Sequence, residues 1–149
     1  MSQIINNQII VIAFITWILN QAIKLFLFYV TEKKLDLGRF FGAGGMPSTH
    51  SALSMSVAIS IGYLEGWGSS LFALSFMTAI IVMTDAAGVR RATGEQAKVL
   101  NRIILEFFEE IKIKHERLKE LIGHTPFEVI VGAIIGFTIA TILSVYIYI

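Results

Sequence analysis

The stretch GGMPSTHSALSMSVAISIG, Gly44 to Gly62, opens as a polar turn and continues as an apolar run of bilayer character. Two glycines, Pro47, Ser48, Thr49 and His50 stand at its mouth. Pro47 and Ser48 suit a helix start. Proline lacks an N–H that would be orphaned there anyway, and a serine oxygen accepts one of the free first-turn N–H groups. Capping does not require His50. An ionisable side chain at the entrance of an apolar helix is costly, and it points to function.

The rest of the chain has the same character. Of 149 residues, 55% are hydrophobic and only 15% charged, and the mean hydropathy is +0.72. Ordinary soluble domains carry about 25% charged residues, so this length could not hide so much apolar surface in water. The net charge of +1 and the lack of a basic run interleaved with aromatics exclude a nucleic-acid partner. No cysteine is present, so disulfides and thiolate metal sites are excluded. The N-terminus lacks the charged region and cleavage site of a signal peptide, so the first apolar run is read as a retained span.

A helix crosses a bilayer with roughly 20 apolar residues. Four spans are predicted, at about 9–30, 48–64, 70–89 and 126–149, in a single membrane domain over residues 1–149. The second and third have apolar cores of only about 14 residues each, or ~21 Å of helix. They must borrow polar residues at their ends to cross. Over 95–121 the apolar residues Val99, Leu100, Ile103, Ile104, Phe107, Phe108 and Ile111 recur at three- and four-residue steps between charges. That spacing predicts an amphipathic helix at the membrane surface or against a partner subunit. The expected fold is therefore all-α: an integral, multi-pass bundle of about four spans plus one amphipathic cytoplasmic or interfacial helix.

Lysines and arginines follow spans one and three, whereas the loop between spans two and three carries Glu65 and no Lys or Arg. The positive-inside rule then places both basic loops, and the face they flank, in the cytoplasm. Alternating spans also bring the ends of spans one and three to the same face as the starts of spans two and four. Lys24, Pro47 to His50, Asp85, Arg90, Arg91, His124 and Glu128 all fall near that face. Two helix N-termini and several cations there suit a phosphate. The segment GHTPFEVIVGAIIG, Gly123 to Gly136, repeats the pattern of glycine, histidine, hydroxyl and proline before an apolar helix. Two histidines at neighbouring helix mouths are what transfer through a phosphohistidine needs: one attacks phosphorus and the other protonates the leaving oxygen.

Three segments together, GGMPSTHSA, DAAGVRRATGEQAKVLN and LKELIGHTPFEVIVGAIIG, resemble the divergent branch of the type 2 phosphatidic acid phosphatase superfamily, to which vanadium haloperoxidases are related. The resemblance runs from Lys24 to Gly136. It implies that Ser48 binds phosphate and His50 acts as general acid, with Thr49 in place of the glycine of P-S-G-H. It implies further that His124 is the nucleophile and Glu128 its orienting carboxylate, in place of the aspartate of H-x-x-x-D. The superfamily's K-x6-R-P motif has no counterpart here; Lys24 and Arg39 are the nearest candidates. Leu118 stands where an arginine is usual, and Arg90 or Arg91 could substitute. The resemblance implies no metal and no cofactor.

Several residues admit a plainer reading. Ser48 could be only an N-cap, and Lys24 could simply snorkel to the interface. Thr125-Pro126-Phe127-Glu128 is a capping box by sequence, which alone explains Glu128. Gly132, Gly136 and Ala140 on span four, and Ala52, Ser56 and Ser60 on span two, form small faces that could pack on each other or build a homo-oligomer. The leading expectation is a metal-independent phosphatase of a membrane lipid phosphate or diphosphate, with His124, His50 and Glu128 catalytic and Ser48, Lys24, Arg90, Arg91 and Arg39 holding phosphate. Its rival is a phospholipid-binding or transport protein that keeps the anion cradle without turnover. A metal-dependent phosphotransferase using Asp85 and Glu128 ranks last.

Overall fold

The structure, a computed structural model, describes residues 6–33, 45–108 and 123–148, the side chains of 89–91, 105–108 and 148 excepted. Five helices follow in order: α1 (Gln8–Glu32), α2 (Thr49–Glu65), α3 (Ser70–Ala87), α4 (Val89–Phe108) and α5 (Pro126–Tyr148). No strand occurs among the described residues. By length and composition, three stretches can cross a membrane: Gln8–Glu32, Ser70–Ile104 and Pro126–Ile147.

The helix starts follow local chemistry. Asn7, Ser48 and Ser69 cap α1, α2 and α3, each accepting an N–H three residues on. Each cap satisfies one of the orphan donors of a first turn. The amphipathic helix begins earlier than its periodicity suggested. It starts at Val89 rather than near Glu95, and Gly94 lies inside it. Only Gly88 separates it from α3, and the Gly88 N–H still bonds the Thr84 carbonyl. Glycine lowers helix propensity by about 1 kcal/mol, which does not break a helix most of whose nearby residues favour it. Residues 109–121 of the expected helix lie outside the described residues.

α2 is the helix on which the bundle is built. It packs against α1, α3 and α5. At 17 residues it is the short one, and its buried positions are Ser51, Ala52, Ser56, Ala58, Ile59, Ser60, Ile61 and Gly62. Small side chains let neighbouring backbones approach, which is how helices associate where lipid offers no hydrophobic drive. The closest approach is to α5. A Cβ at Gly132 would collide with the Ser48 carbonyl, and one at Gly136 with the Ala52 carbonyl. Ala140, one turn further, is fully buried beside Ile12 and Ile59. Both sequences rise together through these contacts, so α2 and α5 run parallel and their N-termini emerge at one end. Within this chain the two small faces pack on each other.

The outward faces are apolar. Phe14, Phe26, Leu74, Ile81 and Ile134 are all at least 59% exposed, as befits side chains facing lipid. At the opposite end from the two N-termini, Trp67 stacks edge-on against Tyr63 and Phe72, and it fills the space a side chain at Gly62 would need. Aromatic rings of this kind suit the membrane–water interface.

Candidate functional site

The two N-terminal mouths are joined by backbone. The Ser48 N–H donates to the Glu128 carbonyl at 3.1 Å, and the His124 N–H donates to Ala86 of α3 at 3.2 Å. These bonds bring together the end of α3 and the starts of α2 and α5.

His124 is 3% exposed. Its Nδ1 lies 3.1 Å from Glu128 Oε2. The same oxygen accepts the Thr125 N–H at 3.0 Å, while the Glu128 N–H donates to Thr125 Oγ1 at 3.3 Å. The capping box and the histidine–carboxylate pair are thus one structure. A carboxylate on Nδ1 draws the ring proton there and leaves the Nε2 lone pair for chemistry. His50 faces His124 edge-on, with ring centroids 6.1 Å apart. The two rings thus stand side by side at the joined mouths.

Ser48 is fully buried, and its Oγ accepts from the Ser51 N–H at 3.4 Å and pairs with Ser51 Oγ at 3.0 Å. It caps α2 and seats that helix on α5. Lys24 is also buried, at 5% exposure, with its Cε 3.5 Å from the position of a Cβ on Gly45. Gly45 has φ +82°, a conformation that L side chains rarely adopt, so the turn calls for glycine, while a Cβ there would make only an ordinary contact with Lys24. Lys24, Phe28, Thr31, Gly45, Met46 and Glu128 border a recess of about 400 Å³. Glu32 borders it too, so one cation and two carboxylates share this largely apolar cleft at the helix mouths.

Asp85 is exposed at the end of α3, and no group of three metal-ligating side chains gathers among the described residues. Arg90 and Arg91 fall in the first turn of α4, where only the backbone is described. Arg39 lies outside the described residues.

Sequence reading passed over part of the site. On α1 the buried residues Ile12, Thr16, Asn20 and Lys24 follow at every fourth position, with Gln21 beside them. The Asn20 Nδ2 group donates to Thr49 Oγ1 at 3.1 Å and to the Pro47 carbonyl at 3.5 Å. Thr49 Oγ1 in turn donates to Gln21 Oε1 at 3.0 Å. α1 therefore clamps the turn that carries Ser48 and His50. The signal was legible: polar side chains at helical spacing inside a span mark an inward face. Asn20→Ala is expected to lower stability by about 1–3 kcal/mol, because it strips buried partners from the turn. Thermal unfolding in detergent measures this, and an unchanged midpoint would show that the clamp is dispensable.

The comparisons with known proteins agree with this architecture. The family model described as the divergent PAP2 family matches residues 5–139. The chain is 37% identical over 137 residues to a Bacillus subtilis (strain 168) protein, "Uncharacterized membrane protein YuiD", with 85% of this chain and 87% of that one covered. No solved structure matches.

Proposed function

The chain belongs to the divergent PAP2 family, and from that premise we propose that this membrane protein is a phosphatase of a lipid phosphate or diphosphate working through a phosphohistidine. The observation that carries the reading is the histidine pair at two joined helix mouths, one ring held by a carboxylate. His124 Nε2 attacks phosphorus, and the bond from phosphorus to the lipid oxygen breaks. His50 gives its proton to that oxygen, so the lipid leaves as an alcohol, or as a monophosphate when the substrate is a diphosphate. Water then attacks the phosphohistidine, His50 takes the water's proton, and inorganic phosphate is released. Lys24, the Ser48 hydroxyl, the positive end of the α2 dipole and cations from Arg39 and from Arg90 or Arg91 hold the phosphoryl oxygens. Fixed positive charge of this kind is where phosphoryl transfer gains most.

Phosphate release by the purified protein from a panel of lipid phosphates and diphosphates, with and without chelator, tests the reading. Release that survives chelator is expected. Saturable binding of the same lipids without release would favour the rival, a phospholipid-binding or transport protein, which the absence of a K-x6-R-P motif supports.

Glu128 offers a sharper test within the same reading. Glutamine still presents a carbonyl oxygen to the Thr125 N–H, so the cap survives. It cannot supply the charge that stabilises a cationic histidine. Glu128→Gln is therefore expected to keep the wild-type melting temperature and lose most of the phosphate release. Glu128→Ala is expected to cost about 1 kcal/mol as well. A stable and fully active glutamine variant would remove Glu128 from the catalytic set.

The basic loops support a cytoplasmic active face. The native chain has no cysteine, so single cysteines at Ser70 and Lys33, both exposed at opposite ends of the bundle, can be labelled from intact cells. An impermeant reagent is expected to reach position 70 and not position 33. The reverse pattern would put the site outside.

A further inference from the structure

His50 also lines a second space. A groove of about 540 Å³ runs between α2 and α3 from His50 along Leu53, Val57, Leu74, Thr78 and Val82 to Leu71. Its hydroxyl groups are turned back into their own helices. Ser54 Oγ donates to the His50 carbonyl at 2.8 Å, Ser75 Oγ to Phe72 at 2.9 Å and Thr78 Oγ1 to Leu74 at 2.8 Å. What remains on the walls is hydrocarbon. From Val82 to Leu71 the groove follows α3 for about 16 Å at 1.5 Å per residue. A bilayer core is about 30 Å thick, so the groove is as deep as one leaflet.

We propose that this groove is the subsite for a single hydrocarbon chain of the substrate, the chain carried by the leaving lipid alcohol. The inference rests on the phosphatase reading above and extends it to the part of the substrate that is not phosphate. In-line displacement places the leaving oxygen on the side of phosphorus away from His124. The general acid must touch that oxygen, so the lipid departs from phosphorus beside His50. The α2–α3 groove is the apolar space that His50 lines. A similar groove between α1 and α2, bordered by Ile9, Ala13, Phe14 and Trp17, shares the ridge of Leu53 and Val57 but includes neither histidine. It has the same apolar chemistry without the connection, which makes it the internal control.

Two measurements test the proposal. The first is kcat/KM for soluble alkyl monophosphates from butyl to octyl. Burial of a methylene group favours binding by a few-fold per group, so the wild type is expected to gain on the order of 100-fold across the series. Ser75→Phe, which fills the α2–α3 groove, is expected to flatten the rise to under about tenfold. Ala13→Phe, in the control groove, is expected to keep the full rise. Equal flattening by both variants, or none by Ser75→Phe, would overturn the proposal, as would a loss traced to a changed oligomeric state in Ser75→Phe.

The second measurement does not need turnover. A long-chain alkyl phosphate with a terminal diazirine is photolysed on the protein in detergent, and the labelled peptide is mapped. Label is expected on α3 between Leu71 and Leu74. Label on α1 between Ile9 and Phe14 would refute the subsite. Label on α3 in a protein that releases no phosphate from any lipid would keep the subsite and discard the hydrolytic reading.

Discussion

His124→Ala is expected to abolish phosphate release, by on the order of 10⁴-fold or more, since it removes the group that forms the covalent intermediate. The substitution should leave the bundle intact. The bond from residue 124 to Ala86 comes from the backbone N–H and survives in alanine. Glu128 keeps its contact with the Thr125 N–H, so the capping box also survives. The ring itself is buried, so a cavity remains, and loss of a buried side chain is the main structural cost. A melting temperature close to wild type, together with lost turnover, separates chemistry from folding. Quenching wild type during turnover should trap acid-labile, base-stable phosphate on the protein, and the alanine variant should trap none. Undiminished release by His124→Ala would end the phosphohistidine mechanism, whatever else the site does.

Gly136→Leu is expected to have the largest effect on the fold. The Ala52 carbonyl occupies the space where its side chain would begin. The obstacle is backbone, so no rotamer change relieves it. α2 and α5 would have to separate along their closest contact, which also carries the Ser48 to Glu128 bond at the site. Overpacking in a tight interior costs about 1–3 kcal/mol when side chains can yield. Here the yielding element is a helix, so loss of the folded protein in detergent is the expected outcome. Gly136→Ala should be milder and still measurable, and Gly66→Ala serves as a contrast. A side chain at Gly66 meets nothing within 4 Å, although its φ of +88° adds local strain. If Gly136→Leu extracted and melted like wild type, the close approach of α2 and α5 would be wrong, and with it the placement of the two histidines.

Much of the site lay open in local sequence. The Ser48 cap, the Thr125 to Glu128 capping box and the carboxylate four residues after His124 are all set by spacing within one helix turn. Geometry over that range depends only on the helical repeat. Apolar runs long enough to cross are equally local, because bilayer thickness sets their length, and three such stretches are present among the described residues, α2 not being one of them. The early start of α4 shows the weakness of such signals: Gly88 and Gly94 look alike as punctuation, and only one of them marks a break.

Sequence by itself determined that the chain is helical, that it belongs in a membrane, and that two histidine-bearing mouths open on one face. Each of these follows from periodicity, composition and the parity of crossings. Tertiary structure alone decided which helices touch. Small stripes on two spans suit a partner chain as well as each other, and only the packing of Gly132 on Ser48 and Gly136 on Ala52 resolves the choice within this chain. The same holds for Asn20 and Gln21. Their helical spacing marks an inward face but not that they hold the turn from Pro47 to Thr49, because a hydrogen bond across 27 to 29 residues has no local signature.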